Sequence, residues 1–286
     1  MPPVQPTLTA REAAERLLQS PEAYATPEAL QDLAAQVSIA PVGGVKTDRT
    51  VLYSGPIQST EPKLDAWTLA TSIQKQDPGV LIIDITERGV FLASKQFKNA
   101  LLRAFAHEGF VDIGDVMKRR DSKANQFLFD ATEGVWAQAS KTFAESASGD
   151  ITTLTSQAPD NRTFALVELP ALLANPNVNS VNGVNREVLQ ELAASPEGLT
   201  AVLKAVAEVS RQKLSEAAVV RSAEGLVVGV DTTALLNVPT ARGKPDPKLG
   251  TQQPIQAGQP DPVVLEGLKR AEHAVKRRWL QRYLDL

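Results

Sequence analysis

Side chains between Trp136 and Glu168 have the types and spacing of a small-molecule site. Trp136, Ser140 and Phe143 follow one another at i, i+4 and i+7, so a helix would carry an indole, a hydroxyl and a phenyl ring on one face. Glu168 ends the apolar stretch 164–167, where a carboxylate tends to be partly desolvated and its pKa raised. Aromatic rings stack on planar groups and a carboxylate stabilises a developing cation, so the segment indicates cation-forming chemistry on a planar ligand.

Two earlier segments supply further candidates at predicted strand ends. Tyr53 and Ser54 close a predicted strand, and Asp84 directly follows a continuously apolar run that suits a strand buried on both faces. Ligands of open α/β sheets bind outside the carboxyl ends of the strands, so we expect these side chains near Glu168. Phe164 adds a second aromatic ring beside that carboxylate.

Each candidate also has an ordinary structural explanation. Trp136 and Phe143 are compatible with a plain hydrophobic core. Ser54 is compatible with a turn cap, and Asp84 with a cap on the segment that follows its strand. Acids with perturbed pKa values also occur in structural networks, so spacing alone leaves both interpretations open.

The composition excludes several other chemistries. His107 and His273 are the only histidines and lie far apart, which gives little support to a histidine-based triad or a multi-histidine metal site. The absence of cysteine excludes disulfides, zinc–thiolate sites and a thiol nucleophile. Gly43-Gly44 lacks the further glycines and the lysine of a phosphate-binding loop. A net charge of −3 provides no basic excess for nucleic acid, so we expect no nucleic-acid partner.

Helices and strands alternate along the predicted chain, which favours an α/β fold. We expect a small, mostly parallel sheet flanked by helices, with an N-terminal helical region. Helical spacing follows Thr9 and Thr26 and continues over 64–76, where Trp67 is counted with the apolar face, and then over 93–107, 130–147, 186–194 and 198–219. β-Branched or continuously apolar runs predict strands at 50–54, 80–83 and 150–154, and a strand or buried turn at 226–230.

The chain divides into four predicted parts. These are an N-terminal helical segment (1–45), a central domain (46–237), a linker rich in Pro and Gly (238–262) and a C-terminal amphipathic helix (263–286). We expect the last helix to pack on its own domain and to expose its basic face; a docking helix for a partner and an interfacial membrane contact are the alternatives. No apolar run approaches membrane-spanning length and no signal peptide is recognisable. We therefore expect synthesis in the cytoplasm, with secretion or delivery into a target cell without a signal peptide left open.

Four short motifs, taken in chain order, resemble those of the ADP-ribosyl cyclase and NAD glycohydrolase family. That family has an aromatic-serine pair after a strand, and then an acid at a strand end followed by a threonine and a glycine. It next has a helix with tryptophan, serine and phenylalanine, and it closes on Thr-Phe-Gly-Ser-Val-Glu. The corresponding residues, within the range 49–184, are Tyr53-Ser54-Gly55, Asp84-Ile-Thr86-Glu-Arg-Gly89, Trp136 with Ser140 and Phe143, and Thr163-Phe164-Ala-Leu-Val-Glu168.

The resemblance implies catalytic roles for two acids. Glu168 would stabilise the ribosyl oxocarbenium ion, or take it up covalently, after nicotinamide leaves. Asp84, in the place of a glutamate, would contact the nicotinamide amide and influence hydrolysis against cyclisation. Trp136 and Tyr53 would bracket the nicotinamide ring.

The resemblance also implies substrate contacts for four smaller or apolar side chains. Ser54 and Ser140 would hold ribose hydroxyls and phosphate, and Phe164 would add a ring to the substrate site. Thr163 occupies the place of a bulky aromatic that folds the cyclic product back on itself, so a small residue there favours hydrolysis.

Departures from the family pattern bear mainly on phosphate binding. Gly55 stands where the family often has an arginine after the first serine, and Tyr53 replaces the usual tryptophan. The sequence does not choose among the arginines that could take over the phosphate, which are Arg49, Arg88, Arg119 and Arg162. A cysteine-free chain with the aromatic-Ser-Gly and acid-x-Thr-x-x-Gly motifs resembles bacterial polymorphic toxins, which deplete NAD in a rival cell and are kept harmless by an immunity protein.

The function expected from these motifs is an NAD+ glycohydrolase that releases nicotinamide and ADP-ribose, with or without some cyclic ADP-ribose. NAD+ is then the substrate and no cofactor is required. The expected partners are NAD+ and an immunity protein, and no membrane contact is expected. A non-catalytic module that binds NAD or ADP-ribose is one alternative, and a helical adaptor that recruits a partner through 1–45 and 263–286 is another.

Overall fold

The computed structural model describes residues 7–47, 49–55, 65–155, 160–216, 218–221, 227–230, 236, 252–254 and 261–284. The helices are α1 Ala10–Gln19, α2 Pro27–Gln36, α3 Ala66–Gln76, α4 Glu87–Ala93, α5 Lys95–Ala104, α6 Ile113–Lys118, α7 Lys123–Phe129, α8 Val135–Ser146, α9 Leu169–Ala174, α10 Arg186–Ala193, α11 Leu199–Glu216 and α12 Pro262–Leu284. The strands are β1 Arg49–Tyr53, β2 Val80–Leu81, β3 Gly149–Leu154, β4 Val178–Val181, β5 Val184–Asn185, β6 Ala218–Arg221, β7 Val227–Val230 and β8 Gln252–Pro254.

The main sheet confirms the predicted α/β class. Its order is β2-β1-β3-β4-β5, in which β2, β1, β3 and β4 run parallel and β5 pairs antiparallel with β4. From β1 the chain crosses through α3 to β2 on one side, whereas from β3 it continues to β4 on the other. The carboxyl ends of β1 and β3 therefore flank a topological switch point, where α/β sheets usually bind ligands.

The middle of the sheet is buried on both faces. Val51 and Leu52, which are successive residues of β1, belong to different hydrophobic clusters and are almost fully buried. Successive side chains of a strand point to opposite faces, so each cluster covers one face. The cluster around Val51 includes Leu69 and Ile73 of α3, and the cluster around Leu52 extends through most of the other helices.

The N-terminal helices belong to the larger cluster. Leu17 of α1 and Leu30 of α2 are buried there. The backbone N–H of Ala10 donates to Glu87 Oε2 at 2.7 Å, which ties the start of α1 to α4. Buried Arg88 donates to the carbonyls of Ala35 and Val37 at the C-terminus of α2. A positive charge at that helix end is favourable, so residues 7–47 are anchored to the segment that carries the second motif.

Two predicted helices begin or continue differently in the structure. The range 93–107 is not one helix: Ser94 ends α4 and caps α5 by accepting a hydrogen bond from the Phe97 N–H. After α5 ends at Ala104, a 3-10 turn, Ala106–Glu108, follows. In the range 130–147, Asp130 accepts hydrogen bonds from the N–H groups of Thr132 and Glu133. This local turn competes with helix formation, so α8 begins only at Val135.

The C-terminal part combines helices with a small antiparallel sheet of order β7-β6-β8. The linker predicted over 238–262 lies mostly outside the described residues, but β8 within it pairs with β6. The open edge of β6 orders β8 through backbone hydrogen bonds. The composition of the linker does not indicate this pairing, because backbone hydrogen bonds do not depend on side-chain type. The predicted packing of the last helix is confirmed, because α12 contacts α10 and α11 and buries Ala271. Among the described residues, no helix has the length and apolar character needed to cross a membrane.

Candidate functional site

A pocket of about 340 Å³ opens at the carboxyl end of β1, and residues of the segment that follows β3 complete its lining. Its volume lies at the lower end of the range for small-molecule sites, which is roughly 300–1,000 Å³. It sits at the switch point of the sheet, as the topology requires. Six of the eight side chains singled out from the sequence line it, and they are Tyr53, Ser54, Trp136, Ser140, Thr163 and Glu168.

Glu168 is the buried acid of this pocket. It ends a π-helical turn, Phe164–Glu168, whose wider spacing is rare in proteins and is often found at functional sites. The side chain is only 7% exposed. Burial disfavours the charged form and raises the pKa of Glu168 to about 7, whereas the hydrogen bond from Ser140 acts in the opposite direction. The pocket therefore contains a carboxyl group that ionises near neutral pH.

Helix α8 presents the predicted face to the pocket. Trp136, Ser140 and Phe143 all line it, which confirms the i, i+4, i+7 pattern. Phe143 and Ser140 are buried, whereas Trp136, one turn nearer the N-terminus, is half-buried. One face of α8 thus supplies the apolar ring of Phe143, the Ser140 hydroxyl that donates to Glu168, and the indole of Trp136, which could contact a ligand.

Asp84 accepts hydrogen bonds from two aromatic side chains that line the pocket, but it is not itself a lining residue. The Tyr53 hydroxyl donates to its Oδ2, and the Trp67 indole N–H donates to its Oδ1 at 3.1 Å. β2 ends at Leu81, so Asp84 lies in the short 3-10 turn Ile83–Ile85 and not at the end of a strand. Burial first, and then the negative charges of Asp84 and Glu168, raise the pKa of Tyr53. Tyr53 therefore remains a neutral donor at physiological pH.

The structure explains the Asp-x-Thr-x-x-Gly motif as a folding device. Thr86 caps α4: its hydroxyl donates to the Ile83 carbonyl at 2.7 Å and accepts from the Gly89 N–H at 3.0 Å. A Cβ atom on Gly89 would lie 2.0 Å from the Ile83 carbonyl oxygen. The motif thus packs the 3-10 turn tightly on α4 and fixes the position of Asp84.

We expect Gly89→Ala to lower the free energy of unfolding by about 2 kcal/mol, because the methyl group forces the 3-10 turn away from α4. Urea denaturation measures this loss. Gly267→Ala is the matched control, since a Cβ there meets only Leu192 Cδ1 at 3.9 Å, an ordinary contact inside α12. Alanine should there be neutral or stabilising by up to roughly 1 kcal/mol. Equal effects of the two substitutions would contradict this explanation of the motif.

Only one of the four candidate arginines reaches the pocket. Arg162 lines it and is exposed, and its guanidinium has no hydrogen bond or ion pair within the described residues. Arg49 pairs with Asp77 at 2.7 Å. Arg88 is buried against backbone carbonyls and Thr142, and Arg119 packs over the ring of Phe110 at 4.9 Å.

Phe164 and Trp67 differ from their expected positions. Phe164 is 3% exposed in the larger hydrophobic cluster and does not line the pocket, because burying its ring in the core removes more apolar area from water. Trp67 lines the pocket and is 54% exposed, although its spacing suggests the apolar face of a helix. It lies in the first turn of α3, two residues after the N-cap Asp65, which also lines the pocket. Helix α3 follows β1 in the chain, and its first residue, Ala66, donates to the Gly55 carbonyl just after β1. The order of these elements was therefore the sequence signal that could have placed Trp67 near the site.

A buried polar network holds the end of β3 in place. Asn182, which has a φ of 53°, accepts from the Thr153 N–H and donates to the Thr153 hydroxyl. The Ser210 hydroxyl of α11 donates to the Thr153 carbonyl and accepts from the Thr155 N–H. Buried groups satisfied in this way are rigid, so the strand that precedes Arg162 and Glu168 has a defined end.

Comparisons of the chain with family models, curated proteins and solved structures find no match. Within the described ranges, no group of three or more His, Asp or Glu side chains is arranged to hold a metal ion. The residues of the pocket themselves indicate what chemistry it can carry out. They are a buried acid that ionises near pH 7, two indoles, several hydroxyls and one arginine free of protein partners in the described chain.

Proposed function

We propose that this protein is an NAD+ glycohydrolase that cleaves the bond between nicotinamide and ribose. The observation that carries the proposal is the position of Glu168, buried beside Ser140 in a pocket that Trp136 and Tyr53 also line. These residues come from three of the four motifs that resemble the ADP-ribosyl cyclase family. The remaining motif, the second in chain order, is next to the pocket, because Asp84 accepts a hydrogen bond from the Tyr53 hydroxyl.

The proposed reaction begins with heterolysis of the C–N glycosidic bond. The bonding electron pair leaves with nicotinamide, which becomes neutral, and the ribosyl carbon becomes an oxocarbenium ion. Ionised Glu168 stabilises this cation, and the hydrogen bond from Ser140 favours the ionised form. The positive charge of the bound pyridinium also favours ionisation of an acid whose pKa is about 7. Water then adds to the ribosyl carbon and loses a proton, which gives ADP-ribose.

Hydrolysis is the proposed outcome in preference to cyclisation. Thr163 lines the pocket with a small side chain. The resemblance implies that a bulky aromatic at this place folds the cyclic product back on itself, so its absence favours hydrolysis. The pocket is open to solvent where Arg162 and Asp65 lie exposed. Water is thus available to the cation, and cyclic ADP-ribose is at most a minor product.

We further propose an ADP-ribosyl cyclase-like version of the α/β fold and a biological role as an NAD-depleting bacterial effector. The cysteine-free composition and the order of the four motifs support this role. A cell that makes such an enzyme needs an immunity protein, which is the proposed protein partner.

The proposal is tested by incubating the purified chain with NAD+ and separating the products by chromatography. We expect nicotinamide and ADP-ribose in equal amounts, with little cyclic ADP-ribose. Intact NAD+ together with saturable binding in calorimetry would instead identify a non-catalytic binding module. If NAD+ is neither consumed nor bound, the helical adaptor becomes the better hypothesis, and deletion of 1–45 or 263–286 should then abolish any cellular phenotype.

We expect Arg162→Ala to raise KM for NAD+ by roughly 10–100-fold, because a charge-assisted hydrogen bond to phosphate is worth about 1.5–3 kcal/mol. kcat should change little, since Arg162 is exposed at the pocket and far less buried than Glu168. Nicotinamide riboside lacks phosphate, so its KM should be the same for the variant and the wild type. Steady-state kinetics with both substrates measure the difference.

Arg119→Ala is the matched control for this prediction, because Arg119 is also exposed but packs on Phe110 and does not line the pocket. Its KM for NAD+ should equal that of the wild type. If Arg162→Ala weakens nicotinamide riboside as much as NAD+, then Arg162 does not act on phosphate.

A further inference from the structure

The carboxylate of Asp84 accepts hydrogen bonds from two aromatic side chains, and Asp84 does not line the pocket. Its Oδ2 accepts from the Tyr53 hydroxyl and its Oδ1 from the Trp67 indole N–H, at 3.1 Å for the latter. Both aromatic residues line the pocket, whereas Asp84 does not. Each carboxylate oxygen thus already accepts a hydrogen bond from an aromatic side chain that lines the pocket.

Trp67 is unusually exposed for a large aromatic residue. Its side chain is 54% exposed, and burying an indole would remove a large apolar area from water. The ring lies in the first turn of α3, and its only hydrogen bond through the indole N–H in the described chain goes to Asp84. An exposed ring that is anchored at one edge retains open surface for stacking at the mouth of the pocket.

We propose that Asp84 is a positioning residue that holds the indole of Trp67 at the pocket mouth, where it packs on the planar ring of the ligand together with Trp136. This inference rests on the proposed function for the identity of that ring, which is the nicotinamide pyridinium. It replaces two expected roles. Trp67, and not Tyr53, is the second stacking residue, and Asp84 acts through Trp67 without touching the nicotinamide amide.

The charges around the pocket agree with a cationic planar ligand. Asp65 and Glu168 line the pocket, and so does Arg162, which the proposed function assigns to the phosphates. The indoles of Trp67 and Trp136 attract a cation through the faces of their rings. The Tyr53 hydroxyl donates to Asp84, so the side chain of Tyr53 is fixed in the lining of the pocket. A pyridinium satisfies this arrangement better than a neutral or anionic ring.

Substitutions at Asp84 separate positioning from direct action. Asp84→Ala removes the anchor and should raise KM for NAD+ about tenfold, with a much smaller change in kcat. Asp84→Asn should restore KM to near the wild-type value, because its Oδ1 accepts from the Trp67 N–H and its Nδ2 donates to the Tyr53 oxygen. If Asp84→Asn instead loses kcat as severely as Asp84→Ala, the negative charge itself acts in the reaction and the proposal is overturned.

A double-mutant cycle tests whether Asp84 acts through Trp67. Trp67→Ala alone should raise KM for NAD+ about tenfold. Adding Asp84→Ala to that variant should have little further effect, because the residue that Asp84 positions is already gone. Additive effects on KM would show that Asp84 acts by another route and would overturn the proposal.

A binding measurement with 1-methylnicotinamide keeps this inference distinct from the proposed reaction, since the compound is a pyridinium without a scissile ribosyl bond. We expect saturable quenching of tryptophan fluorescence in the wild type and in Asp84→Asn, and about tenfold weaker binding in Trp67→Phe and Asp84→Ala. Trp279→Phe, in α12, is the control and should keep the wild-type affinity. This pattern in a chain that does not cleave NAD+ would refute the proposed function and support the role of Trp67. No quenching in the wild type, or equal affinity in Trp67→Phe, would overturn that role.

Discussion

Glu168→Gln is expected to lower kcat for NAD+ cleavage by roughly 10³-fold, while KM stays close to the wild-type value. Glutamine has nearly the same shape and still accepts the hydrogen bond from Ser140, so the pocket keeps its form. It carries no negative charge, however, and therefore cannot stabilise the oxocarbenium ion. In the proposed complex, substrate binding would depend mainly on stacking and on phosphate contacts, which the substitution leaves intact. Single-turnover assays with chromatographic separation of nicotinamide measure the rate.

Glu145→Gln is the matched control for this experiment. Glu145 lies on α8, as Ser140 does, but its side chain is 52% exposed and faces Lys141 at 4.0 Å. The same chemical change on the surface should leave kcat unaltered. Turnover by Glu168→Gln at more than a tenth of the wild-type rate would remove Glu168 from its proposed role.

The second large effect concerns stability and is independent of the reaction. The pKa of Glu168 is raised from 4.5 to about 7 in the folded protein, so between these values the folded state binds more protons than the unfolded state. The free energy of unfolding must then fall as pH rises through this window, by about 3 kcal/mol in total. Glu168→Gln removes this loss, because a neutral amide stays uncharged at every pH.

We therefore expect the stability of Glu168→Gln relative to wild type to increase by about 3 kcal/mol between pH 4.5 and pH 8. Urea denaturation of both proteins at several pH values measures the difference, in which the other titrating groups cancel. Glu145→Gln should show no such trend, since its carboxylate is exposed in the folded protein. A difference that is constant with pH would show that Glu168 ionises in the folded state much as it does in the unfolded chain.

Local signals predicted most of the elements correctly. The capping box at Thr9 and Glu12 starts α1, and the spacing of Trp136, Ser140 and Phe143 identifies the pocket face of α8. Such signals depend on interactions within a few residues, which the sequence contains in full. The predicted start of a helix differs from the structure where a side chain competes for backbone N–H groups, as Asp130 does before α8.

Three features of the site depended on contacts between segments distant in sequence. Asp84 is engaged by Tyr53 and Trp67, Phe164 is taken into the core, and Arg162 alone of the candidate arginines reaches the pocket. None of these outcomes follows from local spacing, because each depends on which other side chains the packing brings within hydrogen-bonding or van der Waals distance.

The sequence by itself determined the α/β class, the helix face with Trp136 and Ser140, and the presence of an acid after an apolar stretch at Glu168. These follow from periodicity and from the order of residue types. Only the tertiary structure decided that Glu168 is buried at the switch point of the sheet and that Asp84 faces Trp67. The physical reason is that desolvation and hydrogen-bond partnership depend on all the surrounding atoms. Strand β1, helices α3 and α8 and the segment 162–168 surround the pocket only when they are packed together.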